Sequence, residues 1–324
     1  MGLQLADGAG LNVALIGFGN VGKAFARLLA SQRSRYPFRI TAIHTLNHGT
    51  AYGSMEFGPR AASIDEFLDR ADSEVVIEIT SLNPATGEPA SQHIRAAFAR
   101  GLHVITANKG PIAHAYSALK AEAMRHQVMF RFESTVMDGA PVFNMVRNTL
   151  PGVRVLGFRG ALNSTTKIVV EELTKGHTID DGVRIAQKLG IAETDASYDI
   201  DGWDSAAKTA ALANVLMDAN VTPQDVDRRG VGQLTPERVA DMVKNGKTPV
   251  LISRARTTPD GVRLRVRAEV LERTDVLASV QGTSNILLID TDLMGTIGTV
   301  SIAPKVEQTA YGLFSDLVDI AKNL

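Results

Sequence analysis

Leu11 to Ile16 is a short apolar run, and directly after it come Gly17, Phe18, Gly19, Asn20, Val21 and Gly22, then a helical pattern through Ala30. Strand, Gly-x-Gly-x-x-Gly and helix in that order constrain the fold more than any other feature, because they specify the first crossover of a βαβ unit. Gly17 permits the tight turn, Gly19 lets the backbone approach a pyrophosphate, and Gly22 lets helix and strand pack closely. Free N–H groups at the start of the helix then favour the anion. Without the flanking strand and helix the same glycines would mean only a turn. In this context Gly17, Gly19, Asn20, Val21 and Gly22 are candidate contacts for a dinucleotide.

The next hundred residues keep the same grammar. Phe38 to Leu46, Glu74 to Thr80 and His103 to Ala107 read as strands, and Pro89 to Arg100 and Ala113 to His126 as helices. Strands separated by helices of this length imply a parallel sheet. After about Phe132 the pattern changes. A strand from Val153 to Leu162 precedes three helical stretches, Ser164 to Lys175, Thr178 to Leu189 and Asp204 to Met217. Pro249 to Arg256, Val262 to Leu271 and Asn285 to Thr291 then read as antiparallel strands, with a turn at Pro259-Asp260-Gly261, and Val306 to Lys322 is an amphipathic helix. The expected fold class is α/β: an N-terminal Rossmann dinucleotide-binding domain over residues 1–133 and an α+β catalytic and dimerisation domain over 134–304. The helix in 305–324 is expected to pack back on the first domain.

Composition removes several function classes. Lys and Arg total 34 against 35 Asp and Glu, with no basic stripe, so nucleic acid is not an expected partner. The chain has no cysteine, which excludes disulfides, thiolate catalysis and Cys-ligated zinc and fits a reducing compartment. The seven histidines have no metal-ligand spacing. No apolar run is long enough to span a bilayer. Met1 to Gly10 lacks the basic region and apolar core of a secretory leader, and Ala6 stands where a myristoylation signal after Gly2 needs Ser or Thr. A cytoplasmic protein with a small-molecule substrate is expected.

The second strand bears on the choice of coenzyme. An NAD-specific site carries Asp or Glu near its end, to hold the ribose hydroxyls. Ile43, His44, Thr45, Leu46, Asn47 and His48 include no carboxylate, and no Arg to meet a phosphate, although His44 and His48 are available. The absent carboxylate tilts the expectation slightly toward NADP over NAD.

Two further segments are more specific. One is Val104-Ile105-Thr106-Ala107-Asn108-Lys109-Gly110-Pro111; the other is Gly190-Ile191-Ala192-Glu193-Thr194-Asp195, followed by Asp199-Ile200-Asp201-Gly202-Trp203-Asp204 and Lys208. Glu193, Asp195, Asp199, Asp201 and Asp204 place five carboxylates in 12 residues, as a site for an ammonium-bearing substrate would. Asp204 and Lys208 are four apart on an expected helix and leave the same face. That spacing is more often a surface ion pair. In order and spacing these segments resemble homoserine dehydrogenase, from the glycine loop to about Ala213.

The resemblance implies an NAD(P)-dependent enzyme of threonine and methionine biosynthesis that interconverts L-homoserine and L-aspartate 4-semialdehyde. It implies that Glu193 holds the substrate amino group, that Asp199 and Asp204 orient the substrate and Lys208, and that Lys208 assists proton movement at the hydroxyl. Lys109, at the end of a strand where open α/β sheets place ligands, would stand between coenzyme and substrate. Which of Lys109 and Lys208 is the acid–base group stays open. Thr80 and Ser81 would line the nicotinamide end, and the backbone at Ser164 and Thr165 would hold the substrate carboxylate. Glu133, Val136, Asp138 and Ala140 would be sodium ligands. The strands after residue 249 would pair across a two-fold axis in a homodimer.

Three departures accompany the likeness. The family's Asn-Gly-Thr-Thr-Asn is here Asn163-Ser164-Thr165-Thr166-Lys167, which raises the alternative of the same chemistry on a different small hydroxy or amino acid. The turn at Val136-Met137-Asp138-Gly139-Ala140 is poorer in glycine than the family's, and the family's C-terminal glycine-rich sequence is reduced to Gly295-Thr296-Ile297-Gly298. With Leu324 as the last residue, no appended regulatory domain is expected. From a different class, an inactive nucleotide-binding sensor would not need Lys109, Glu193, Asp204 and Lys208 together.

Overall fold

The computed structural model describes residues 10–324, so the stretch weighed as a leader lies almost wholly outside the described residues. The first compact unit runs to Pro141 and takes back Lys305–Leu324, and the second is Val142–Pro304.

The first unit opens with β1 (Asn12–Ile16), α1 (Asn20–Gln32), β2 (Arg39–Thr45) and β3 (Gly49–Tyr52), followed by α2 (Ile64–Arg70) and β4 (Val75–Glu78). It continues through α3 (Ala90–Phe98), β5 (His103–Thr106), α4 (Lys109–Arg125) and β6 (Phe130–Arg131). The sheet order is β3-β2-β1-β4-β5-β6, parallel except for β3, which turns back on β2 as an antiparallel edge. Val13, Leu15, Ile43, Ile77 and Ile105 are buried in this sheet, which explains why its strands read as continuous apolar runs.

The second unit comprises α5 (Phe143–Thr149), β7 (Val155–Ala161), α6 (Ser164–Thr174), α7 (Ile179–Lys188), α8 (Ser197–Ile200) and α9 (Trp203–Met217). Then come β8 (Asp227–Arg228), α10 (Pro236–Lys244), the hairpin of β9 (Lys247–Thr258) and β10 (Gly261–Glu272), β11 (Asn285–Thr291) and β12 (Thr296–Ser301). Its sheet order is β12-β11-β7-β9-β10-β8, antiparallel except for the β8–β10 pair. The hairpin closes over Pro259 and Asp260, with Gly261 at φ +114°, a conformation a side chain would resist.

The last helix, α11 (Val306–Lys322), belongs to the first unit. Leu313, Phe314 and Leu317 are buried in the same core as Phe25 and Leu29 of α1, and Phe314 meets Tyr36 edge-on at 5.2 Å. Asp316 accepts the Glu133 main-chain N–H at 2.8 Å, and Arg131 pairs with Asp319 at 2.6 Å. Ser134 gives its hydroxyl to the Thr309 carbonyl at 2.8 Å, so the segment after residue 133 stays with the first unit.

Several elements lie outside the sequence expectation. Helix α4 begins at Lys109, four residues ahead of Ala113, because Asn108 caps it and Pro111 is tolerated in a first turn. Helix α2 was signalled by Ser63, whose side chain accepts the Glu66 N–H while the Glu66 carboxylate accepts the Ala62 N–H. Thr235 before Pro236 marks the start of α10 in the same way. Strands β3 and β12 are short edges, β6 has only two residues, and β3 and β12 take their conformation from a neighbouring strand.

Candidate active site

In the first unit the glycine loop has the shape a pyrophosphate needs. Gly17 sits at φ +102°, where an added Cβ would lie 2.5 Å from the Ile79 carbonyl oxygen. Gly19 faces open space, with nothing within 4 Å of an added Cβ. At Gly22 a Cβ would meet Ile79 Cδ1 and Phe18 at 3.1 Å, so the helix packs there only as glycine without adjustment. No side chain caps α1 and no acidic residue lies in its first turn, which leaves the N–H groups after Gly19 toward an anion. These residues fit a dinucleotide.

Thr80 follows β4 and Lys109 follows β5, both at carboxyl ends of parallel strands. Thr80 gives its N–H and its hydroxyl to Glu78, and Ser81 is exposed. Lys109 is the first residue of α4 and half-buried, so it is not a solvated loop lysine.

In the second unit Asn163 is the centre. Its Oδ1 accepts the Thr166 N–H at 2.8 Å and so caps α6. Its Nδ2 donates to Asp199 at 2.6 Å and to Asp204 at 2.9 Å. Thr165 gives its hydroxyl to the other Asp199 oxygen at 2.8 Å. Lys208 Nζ lies 3.0 Å from Asp204 and donates to the Leu162 carbonyl at 2.7 Å. The pair is 16% and 10% exposed, so Asp204 and Lys208 are not the surface ion pair that their spacing most often means. Burial, and then the neighbouring Asp204, push the Asp199 carboxyl above its ordinary range. Burial and the same two carboxylates push the Tyr198 phenol up, and its hydroxyl is buried without a hydrogen-bond partner.

The family models settle what this arrangement belongs to. The model described as homoserine dehydrogenase matches residues 141–318, and that for the homoserine dehydrogenase NAD-binding domain matches 17–133. This chain belongs to the homoserine dehydrogenase family. It is similar to the homoserine dehydrogenase of Methanocaldococcus jannaschii, 34% identical over 96% of this chain and 98% of that one. It is 30% identical to an NAD(+)-dependent homoserine dehydrogenase of Pseudomonas canavaninivorans, covering 95% of both. The crystal structure of a homoserine dehydrogenase from Thiobacillus denitrificans superposes with a TM-score of 0.86 at 27% identity, over 97% of this chain and 74% of that one. The enzyme is therefore an NAD(P)-dependent oxidoreductase acting on an alcohol group.

Within this homoserine dehydrogenase the expected residues divide. Thr165, Asp199, Asp204 and Lys208 are joined by hydrogen bonds and an ion pair in one cluster. Ser164 begins α6 beside it and gives its hydroxyl to the Thr283 carbonyl at 3.3 Å. Glu193 is not drawn in: it lies on an exposed loop, held through its main-chain oxygen by Gln187. The Lys167 amine bonds the Asn163 carbonyl at 3.1 Å and Asn285 at 3.2 Å. Asn163 is the functional residue that sequence reasoning passed over, though its place before a helix, as an amide N-cap, was a signal. Among the described residues no group of three or more His, Asp or Glu is arranged to hold a metal, and no helix is long and apolar enough to cross a membrane.

The raised Asp199 carboxyl has a stability consequence. The folded state holds its proton to higher pH than the unfolded chain, so stability falls as pH rises from about 3.8 through the raised value. Asp199→Asn keeps the shape and an acceptor for Asn163, and the Thr165 hydroxyl can turn to accept. Urea midpoints are expected to be higher for the variant than for the parent at pH 8, with the difference shrinking toward pH 5. A variant less stable than the parent at pH 8 would contradict this.

Proposed function

We propose that this enzyme interconverts L-homoserine and L-aspartate 4-semialdehyde, and that Asp199, Asp204 and Lys208 form the substrate side of its site. The observation that carries this reading is the buried cluster around Asn163, in which two carboxylates face one lysine. One ammonium of charge +1 and one carboxylate are what an amino-acid alcohol brings. The acidic cluster, with Glu193 on its loop, takes the amino group. Main-chain N–H groups of Ser164 and Thr165 at the start of α6 take the carboxylate.

The nicotinamide coenzyme, when bound at Gly17, Gly19, Asn20, Val21 and Gly22 with Thr80 and Ser81 at its reactive end, supplies the hydride acceptor or donor. Proton transfer at the substrate oxygen falls to the chain. Lys208 is oriented by Asp204 and the Leu162 carbonyl, so its ammonium has a fixed direction. Lys109 is the second amine assigned to the reaction, at the start of α4.

For the coenzyme we propose a preference for NADP, with Arg60 as the cation that meets the 2′-phosphate. His44 is poorly suited: its Nδ1 bonds Thr50 at 3.0 Å, its ring lies against Phe67, and burial, then His93 and Arg60, lower its pKa. Arg60 stands 15 positions beyond Thr45 in the chain, but its main-chain N lies 3.5 Å from where a Cβ of Gly49 would be and Ala61 gives its N–H to Thr50 at 3.0 Å, beside the turn that follows β2. His48 is exposed on the same turn.

We also keep a monovalent cation at Glu133, Val136, Asp138 and Ala140. Glu133 is a buried carboxylate and the rest of the donor set is main-chain oxygen, which suits sodium better than a transition metal. Assembly is proposed as a homodimer in the cytoplasm. The edge strand β12 leaves Val300 half-exposed, and Ile302 beyond it is more exposed still.

Three measurements test these readings. Homoserine oxidation followed with both coenzymes should be efficient, and Lys208→Met should lower kcat by about 10²-fold or more with coenzyme affinity near normal. Because the pair is buried, that variant should also lose roughly 3 kcal/mol of stability by leaving Asp204 without its cation. Normal turnover would remove Lys208 from the mechanism. Arg60→Ala should weaken NADP+ binding by about tenfold and leave NAD+ binding nearly unchanged; an equal effect on both would assign the arginine to the surface. Sedimentation at several concentrations should give twice the 34.7 kDa chain mass, and a monomer throughout would end the dimer proposal.

A further inference from the structure

Glu78 ends β4 and is fully buried. One carboxylate oxygen accepts the Thr80 N–H at 3.1 Å and the Thr80 hydroxyl. The other accepts the Thr106 hydroxyl at 3.0 Å. Thr106, itself fully buried at the end of β5, has then spent its only proton and uses its oxygen to accept the Asn108 N–H at 2.9 Å. Asn108 closes the ring, because its Nδ2 donates to the Thr80 carbonyl at 3.4 Å. Its Oδ1 meanwhile accepts the Gly110 N–H at 3.0 Å and starts α4. His93 Nδ1 lies 3.8 Å from the same carboxylate and has no hydrogen-bond partner of its own.

A carboxylate in this position is expensive for a sheet. A buried charge needs a full set of donors, and two parallel strands do not need one to pair. What the ring does is tie together two strand ends that are otherwise separate turns. One end carries Thr80 and Ser81, and the other carries Asn108 and Lys109. We infer that Glu78 is the positioning residue of the reaction: through Thr106 and Asn108 it fixes Thr80 and Lys109 relative to one another. The inference rests on the reading of Thr80, Ser81 and Lys109 as the nicotinamide end of the site.

The direction of each bond supports this role over that of a mere staple. The Glu78 side chain gives the Thr106 hydroxyl an acceptor that also holds Thr80, so the bond joins the two turns, while the Thr106 oxygen accepts the Asn108 N–H. Remove that acceptor, and the hydroxyl can rotate toward the Glu78 main-chain carbonyl alone, at 3.0 Å. The Thr80 N–H and hydroxyl then lose their partner, and the turn that carries them is no longer set against Asn108.

The test uses the intact enzyme and three variants, Thr106→Val, Glu78→Gln and Glu78→Ala. Calorimetry compares whole NAD+ and NADP+ with ADP-ribose and 2′-phospho-ADP-ribose, which lack only the nicotinamide. Thr106→Val, nearly isosteric, is expected to weaken the whole coenzymes by about tenfold, leave both fragments within about twofold, and lower kcat with little change in the homoserine KM. Glu78→Ala should do the same more strongly. Glu78→Gln, which keeps one acceptor oxygen for Thr80, should recover part of the loss. Equal weakening of coenzyme and fragment would make the ring a plain structural element, and so would a Thr106→Val enzyme with unchanged kcat. Should Glu78→Ala fail to fold, the valine and glutamine variants decide. The binding arm needs no substrate, so an inactive parent enzyme would overturn the homoserine assignment and leave this result standing.

Discussion

One amide side chain serves a buried and a half-buried carboxylate in the second unit, and the character of the site follows from that crowding. Asn163 donates to both Asp199 and Asp204 with its two amide protons, and its oxygen is already committed to the helix it caps. The two acids therefore sit within reach of a single group about the size of a water-bridged pair. Burial first, and then the like charge of Asp204, raise the proton affinity of Asp199. Asp204 keeps its charge company with Lys208. A cation beside such a cluster is electrostatically favoured, and in the proposed function the substrate ammonium is that cation.

The first unit solves a different problem. Its parallel sheet gathers the carboxyl ends of β1, β4 and β5 on one side, so residues far apart in the chain arrive at neighbouring turns. The glycine loop needs space and free N–H groups, whereas Thr80 and Lys109 need direction. Open space over Gly19 and the absence of any cap on α1 meet the first need. The hydrogen-bond ring through Glu78, Thr106 and Asn108 meets the second. A chain can obtain the one from glycine alone, but the other takes buried polar groups whose donors and acceptors all match.

How much of this was legible depends on whether the cause was local. The glycine loop, the alternation of strand and helix, and the Asn-Lys-Gly-Pro and acidic segments are short-range patterns, and the fold class follows from them. The burial of Asp204 and Lys208 was not legible, because an i, i+4 pair looks the same on a surface and in a core; α9 is buried along most of its length, and only the packing says so. Glu78 read as one more residue at the end of a strand, since nothing in sequence marks its distance from Thr106, 28 positions away. Arg60 was overlooked for the same reason. It reaches the end of β2 through the β3 turn, which has only four strand residues to announce it. Glu193, in contrast, was prominent in sequence and is on an exposed loop in the structure.

The departures from the family pattern around Asn163 also acquire a physical order. Ser164 adds a hydroxyl that is turned away to the Thr283 carbonyl, so the main-chain N–H groups at the start of α6 keep their direction. Lys167 is the larger change, and its position decides its effect. Its amine is buried against the main-chain oxygen of Asn163, the residue whose side chain feeds Asp199 and Asp204. Its bond to Asn285, at the start of β11, holds it on the other side. The lysine that replaces the family's asparagine is thus committed to the main chain of Asn163 and to β11, an anchorage that agrees with the proposal of the same amino-acid alcohol as substrate.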